Sequence, residues 1–441
     1  MNKHVTRRRF LGASTGTALG LGVVAAWPVP GLAKNVGSAD KLNLAVIGVA
    51  HRGGANLKGV AGENIVALCD VDEKYLAEAG ERFPQAQRFV DFRKMFDAMA
   101  KQIDGVVVST PDHTHAIPSV MAMRMGKHCY CEKPLTQSVY EARLVTDTAK
   151  AQRVVTQIGT QIHAGKNYRR VVELVQANVI GPIGEVHVWS AAKYFKGDRP
   201  SDTPPVPEGL HWDLWLGPAP ERTYHPSYAP KTWRCWWEYG NGALGDFGCH
   251  YMDLPFWALK LQYPTSIEAD GPRPVHPDSC PEWLVVRYHY PARENLPPVL
   301  LTWYDSGKRP ELLGQLLPEK EAGKWNSGVL FVGTKGMILA NYTQHKLLPE
   351  DTFTGFQPPE PTIPDSVGHH QEWIDAIKHG GSPTCRFDYS GPLTEAALLG
   401  GVAYRAGEKL SWDGPAAKVT NTTKAEPFLR RPYRPGWTLE G

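Results

Sequence analysis

The sequence predicts an α/β fold that opens on a doubly wound parallel sheet, and three observations carry that prediction. Leu44 to Ile47 is a short apolar run, as suits a parallel strand buried on both faces, and it breaks into the turn Gly48-x-Ala50-x-x-Gly53. A second apolar run, Ile65 to Cys69, ends in Asp70, 22 residues after Gly48. From there to Cys131, short apolar runs alternate with amphipathic stretches of helical spacing.

Each part of the opening unit has a chemical reason. Glycines let backbone approach a pyrophosphate, and a helix that follows offers free N–H groups and the positive end of its dipole. Gly48, Ala50, His51, Arg52 and Gly53 are therefore the candidate phosphate-binding residues, with Ala50 adding a methyl group where the fingerprint G-x-G-x-x-G has its middle glycine. Asp70 is placed to hold an adenosine ribose. A bare glycine turn also suits a strand–helix junction with no ligand, but turn and acid together read as a Rossmann dinucleotide-binding domain over residues 40–160. Asp70 disfavours a ribose phosphate and no Arg follows it at once, which favours NAD over NADP.

The 441 residues are enough for two domains, and a formal charge of +3 with no basic cluster in the body of the chain argues against nucleic acid as a partner. Fourteen Trp and 17 Tyr, several beside Arg and Asp, suit either stacking on sugar rings or a tryptophan-rich core. The seven cysteines show no Cys-x-x-Cys pair or Cys/His ligand spacing, so they read as buried thiols and no metal site is expected. At the N-terminus, Thr6-Arg7-Arg8-Arg9-Phe10-Leu11 precedes a Gly/Ala-rich apolar run and Gly31-Leu32-Ala33. Residues 1–33 resemble a twin-arginine signal peptide, with a membrane anchor as the competing reading; the signal implies the twin-arginine export machinery as a partner and a periplasmic location.

After Asp70 the pattern predicts a helix from Glu73 to Phe83, a strand from Gln87 to Val90, a helix from Phe92 to Ala100 and a strand from Ile103 to Ser109. That strand ends in Thr110-Pro111-Asp112-His113-Thr114-His115, a loop at the carboxyl end of a parallel strand, where ligands of such sheets sit. Pro118 to Met125 reads as helix and His128 to Cys131 as strand, ending in Glu132-Lys133-Pro134.

The glycine turn, Thr110-Pro111-x-x-x-His115 and Glu132-Lys133-Pro134 together resemble the glucose-fructose oxidoreductase/inositol dehydrogenase/MocA (Gfo/Idh/MocA) family. Gln157-Ile-Gly-Thr-Gln161, Gly242-Ala-Leu-Gly-Asp246-Phe-Gly-Cys-His250-Tyr-Met-Asp253, Phe331 to Gly336 and Gly407 to Asp413 extend the likeness over residues 40–413. An insertion rich in Trp (Trp212, Trp215, Trp233, Trp236, Trp237) looks like that of the exported subgroup. The resemblance implies a C-terminal α/β domain, residues 161–413, with a large, open, mostly antiparallel sheet, and homo-oligomers. Candidate strands are 185–191, 265–270, 283–290, 299–304, 328–332 and 336–340, with helices at 369–379 and 393–407. Residues 198–230, with eight prolines, are expected to form an irregular loop roofing the site, and 414–441 a polar C-terminal extension.

Oxidation of a secondary alcohol needs a base for the hydroxyl proton, a donor that orients the hydroxyl and a cofactor face against the carbon. Lys133 follows the fifth strand, where it can reach substrate and lose its proton more readily than in water. Asp246 and His250 share one helix face four residues apart, and Asp253 follows a turn later. By resemblance His250 is the acid/base, while Lys133 and Asp246 position the hydroxyl; an Asp capping a helix start is the plainer alternative. Thr110, Pro111, His115, Glu132 and Gln161 join the cofactor set. Tyr168, Arg234 and Asp253 are weaker substrate candidates. His163 stands where the family often has Arg, which weakens any transfer of polyol contacts, and adjacent His369 and His370 point apart on a helix and so do not read as a metal pair.

An exported enzyme has no nicotinamide pool, so its cofactor must return to its starting state in each turnover. Coupled oxidation and reduction of two sugars satisfies this, as does redox-neutral glycoside cleavage through transient oxidation and elimination. Because Glu132-Lys133-Pro134 is intact, the sequence favours a sugar oxidoreductase over the glycosidase, and both over a nucleotide-bearing binding protein without catalysis.

Overall fold

A computed structural model describes residues 40–439. The twin-arginine reading of residues 1–33 lies outside them. Among the described residues no helix is long and apolar enough to cross a membrane.

The first half alternates strand and helix as expected: β1 (Asn43–Ile47), α1 (Arg52–Gly59), β2 (Asn64–Cys69), α2 (Glu73–Arg82), β3 (Gln87–Phe89), α3 (Phe92–Met99), β4 (Gly105–Val108), α4 (Ala116–Arg124), β5 (His128–Cys131), α5 (Val139–Gln152) and β6 (Thr156–Ile158). The strands form one parallel sheet in the order β3-β2-β1-β4-β5-β6. β1, between β2 and β4, buries Leu44 to Ile47 between helices on both faces, which is why its apolar run is continuous rather than alternating. Side-chain oxygens set the helix starts. Asp72 accepts from the Lys74 N–H (3.0 Å), Asp91 from that of Arg93 (2.9 Å), and Ser138 with Glu141 forms a capping box on α5.

The second half adds α6 (Lys166–Gln176), β7 (Ile183–Trp189), α7 (Trp212–Leu216), α8 (Gly242–Tyr251), α9 (Asp253–Ala258), β8 (Ser266–Asp270), β9 (Val285–Tyr290) and β10 (Val299–Tyr304). It continues through α10 (Leu312–Leu316), α11 (Glu319–Ala322), β11 (Gly328–Gly333), β12 (Met337–Ala340), β13 (His345–Leu348), α12 (His369–His379), α13 (Phe387–Ala406), β14 (Leu410–Asp413), β15 (Lys418–Val419) and α14 (Glu426–Leu429). Nine strands run in the order β13-β12-β11-β7-β10-β9-β8-β14-β15, antiparallel except for the β7–β10 pair. Along β9 burial alternates, with Val286, Tyr288 and Tyr290 buried against the helical layer and Val285, Arg287 and His289 on the open face.

Two expectations shift. The last long helix, α13, begins at Phe387 rather than Leu393 and runs through Pro392. It packs on both α5 and α8, and a Cβ on its Gly400 would lie 2.5 Å from Leu244 Cδ2, so small residues let this buried helix join the two halves closely. The C-terminal extension, expected only to be polar, docks on both sheet domains. β15 joins the large sheet, and residues 430–439 return to the parallel-sheet domain, where Trp437 meets the Phe92 ring at 6.0 Å.

Candidate active site

A cleft of about 660 Å³ runs along the carboxyl ends of the parallel strands. Its floor is the glycine turn. Gly48 has φ +83°, and a Cβ there would lie 2.6 Å from the Ser109 carbonyl oxygen; a Cβ on Gly53 would lie 2.0 Å from that of Gly48. Only glycine fits at both positions, so β1, the β4 loop and α1 approach as closely as a phosphate cradle requires. Ala50 has no positive φ, so its methyl group costs the turn nothing; the unusual backbone is at His51, φ +50° and ψ −112°. Helix α1 has no side-chain cap and no acid in its first turn, which leaves its first N–H groups for an anion.

Asp70 sits at the end of β2, lining the cleft, with Oδ2 accepting from the Val49 N–H (2.9 Å) and Oδ1 from that of Asp72 (3.0 Å). Burial raises its pKa against those two hydrogen bonds. Gly48, Ala50, His51, Arg52, Thr110 and Pro111 also line the cleft, so these residues would hold the dinucleotide together with Asp70. His115 and Glu132 touch the cleft but serve mainly as braces. The His115 ring nitrogens lie 2.8 Å from the Pro134 carbonyl and 2.7 Å from that of Thr110. Glu132 Oε1 accepts from Asn56 (2.9 Å) and from Gln161 (2.7 Å), tying α1, β5 and β6 together, and Gln161 stands behind the wall.

At the other end of the cleft Lys133 follows β5. Its Nζ donates to the Asp246 carbonyl (2.9 Å) and forms a short ion pair with the Asp246 carboxylate. Arg234 Nε lies 3.0 Å from the same carboxylate, and the Tyr194 hydroxyl donates to it at 2.7 Å. Burial alone would push the Asp246 carboxyl up, but Lys133, Arg234 and the hydrogen bonds outweigh it and hold it well below the usual carboxylate range. Asp246 is the fifth residue of α8, whose N-cap is Asn241, so it is no helix cap. His250 lies one turn on. Burial and then the Lys133 charge hold its pKa well down, so the imidazole is neutral, and its Nδ1 has no partner.

The remaining candidates divide. Arg234 is in the cleft, its guanidinium 4.0 Å from the Trp233 ring. Tyr168 is fully buried and donates to the His250 carbonyl (3.1 Å), and Asp253 is fully buried between His163 Nδ1 (2.9 Å) and the Tyr389 hydroxyl (2.7 Å). Neither has access to a substrate, which corrects the expectation for both. His163, in place of Arg, is thus the partner that immobilises Asp253. His369 and His370 each have separate tasks: one lies 2.7 Å from the Ile158 carbonyl, the other 3.0 Å from Asn56 Oδ1. All seven cysteines are buried and free. Of the tryptophans, Trp215 and Trp233 line the cleft, while Trp212 and Trp236 fill a small aromatic core in the roof and Trp237 packs in the C-terminal core.

Asp112 carries no sequence signal beyond its place in the Thr110–His115 loop. It is 1% exposed, borders the cleft, and neither carboxylate oxygen has a partner. Burial raises its pKa to about 7 against the charges of Arg234 and Lys133. Because the folded pKa lies above the unfolded one, its contribution favours folding below about pH 4 and is lost as pH rises through 7. Asp112→Asn is therefore expected to remove on the order of 3 kcal/mol of stability loss between pH 5 and 8. Urea midpoints of both proteins across that range would show the difference, and parallel pH profiles would refute it.

The family model for the oxidoreductase NAD-binding Rossmann fold matches residues 42–160, and that for the oxidoreductase C-terminal α/β domain matches 166–296. The chain belongs to the Gfo/Idh/MocA oxidoreductase family. Its cofactor domain is an NAD-binding Rossmann fold. It is 27% identical over 191 residues to levoglucosan dehydrogenase of Pseudarthrobacter phenanthrenivorans, covering 42% of this chain and 40% of that one. It is 30% identical over 177 residues to a glycosyl hydrolase family 109 protein of Solibacter usitatus, covering 35% and 40%. The chain thus spans well under half the length of these curated relatives. Among solved structures, the WlbA dehydrogenase of Bordetella pertussis in complex with NADH and UDP-GlcNAcA shares the fold at 16% identity, with a TM-score of 0.59 and coverage of 85% of this chain and 99% of that one.

Proposed function

We propose that this protein oxidises a secondary hydroxyl of a sugar or sugar derivative and keeps its NAD through turnover. The observation that carries the reading is Lys133, which lines the same cleft as the glycine turn and Asp70 and is ion-paired behind it to Asp246 of α8. Bound NAD supplies the acceptor for the hydrogen on the carbinol carbon. Lys133 and Asp246 orient the hydroxyl, and the neutral His250 imidazole takes its proton. Asp112, Trp215, Trp233 and Arg234 line the same cleft, so a sugar there would meet an aromatic wall carrying one guanidinium. A levoglucosan dehydrogenase among the relatives supports a carbohydrate substrate. The twin-arginine reading of residues 1–33 adds export to the periplasm, where a retained cofactor is reset in each cycle, and the family resemblance adds a homo-oligomer.

The glycosyl hydrolase family 109 relatives favour one second reading, redox-neutral glycoside cleavage at the same site. The two separate in one assay with nitrophenyl glycosides and free sugars. Net oxidation is expected to raise absorbance near 340 nm with a free sugar and release no phenol. Phenol release without net NADH would replace the first reading by the second.

A further inference from the structure

Residues 430–439 do more than fill surface. Arg431 forms a buried ion pair with Glu141 of α5 (2.9 Å), and the Tyr433 hydroxyl donates to the same carboxylate. Arg434 grips the roof, its guanidinium on Asp213 and the Gly217 carbonyl and its N–H on the Pro218 carbonyl (3.2 Å). Arg124 donates to the Leu439 carbonyl (2.6 Å). Between these anchors Trp437 is 9% exposed, packs beside Phe92, and carries the Arg93 guanidinium 4.2 Å from its ring. Arg93 is itself held by Asp91 (2.8 Å).

Trp437 lines the active-site cleft, next to Asp91 and Phe92 and at the same end as Asp70. In a parallel sheet of this kind the carboxyl ends of the second and third strands receive the adenosine half of a dinucleotide. Over that mouth the roof is sewn to the cofactor domain by backbone bonds, Glu73 N–H to the Gly209 carbonyl and His211 N–H to that of Val71, both 2.9 Å. Two segments remote in sequence, the roof and the C-terminal strap, thus meet at Arg434 and cover the same end of the cleft.

We propose that Trp437 is a cofactor-binding residue, an aromatic wall supplied by the C-terminal strap against the adenosine half of NAD, and that the strap slows cofactor release. The inference rests on the NAD reading of the cleft and gives its retention a physical cause: the cofactor leaves only after an indole contact and the strap–roof anchors open.

The test is stopped-flow release of NADH from the full chain, chased with excess NAD⁺. Trp437→Ala is expected to release NADH at least tenfold faster, and Trp437→Phe to restore most of the slow rate because an aromatic face remains. Arg434→Ala, which loosens the strap and removes a guanidinium 5.9 Å from the Trp437 ring but leaves the indole in place, is expected to fall between them and decides the matter if Trp437→Ala fails to fold. Release at the wild-type rate from folded Trp437→Ala, or from Arg434→Ala when Trp437→Ala is unfolded, would overturn the proposal. A wild-type chain that binds no NADH would instead overturn the NAD reading itself.

Discussion

Lys133→Met is expected to lower kcat/KM for the active sugar by roughly 10³-fold while NAD affinity stays within about threefold. Methionine keeps the length of the side chain and removes the ammonium that bridges cofactor cleft and substrate side. The loss falls on the chemical step because the residues that would hold the dinucleotide lie at the glycine turn, Asp70 and the Thr110 loop. The fold should survive, since the Asp246 carboxylate keeps Arg234 (3.0 Å) and the Tyr194 hydroxyl (2.7 Å) and is not left as a bare buried charge. Asp246→Asn combined with Lys133→Met should cost little more than either alone, because the pair acts as one unit. Steady-state kinetics with NADH fluorescence titrations check both halves. An intact rate in Lys133→Met would remove the lysine from the mechanism.

Gly53→Val should do the reverse, abolishing NAD binding before any chemistry. Even the first carbon of the new side chain would lie 2.0 Å from the Gly48 carbonyl oxygen and 3.3 Å from Ser109 Cβ, so α1 must move off β1 and the β4 loop. Displacing the helix start removes the N–H groups aimed at phosphate, and an affinity loss of about 100-fold or more follows, with a stability cost of roughly 1–3 kcal/mol. Ala50→Gly is the matching control. Ala50 needs no left-handed backbone, so restoring the fingerprint glycine there should change affinity by less than about threefold. Isothermal titration of NAD into the three proteins, with thermal melts, measures all of this. Wild-type affinity in Gly53→Val would place the cofactor elsewhere.

Much of this site could be read from the chain because the relevant signals are local. Parallel strands buried on both faces write themselves as continuous apolar runs, and Asp70, Lys133 and the Thr110 loop stand at strand ends where the sheet must present them. Asp246 and His250 needed only helical spacing to share a face. What escaped the sequence depends on distant partners. Nothing near Asp112 announces that both its oxygens are unpaired, and Tyr194 reaches Asp246 across 52 residues. The C-terminal strap is polar and aperiodic, and its anchors, such as Arg431 on Glu141 290 residues away, leave no trace in local pattern. Asp253 looked available because its spacing from His250 is right, yet His163 and Tyr389 seal it. The six residues that α13 gains before Leu393 include Pro392, a residue that normally reads as a helix boundary.

The decisive experiment follows the absorbance of the purified full chain with NAD⁺ as monosaccharides and their glycosides are added in turn, beside Lys133→Met. A rise near 340 nm with one carbohydrate, absent in the variant although it still binds NAD⁺, is the expected result. NAD⁺ bound by both proteins with no spectral change and no product from any carbohydrate would contradict a carbohydrate oxidoreductase built on Lys133, Asp246 and His250.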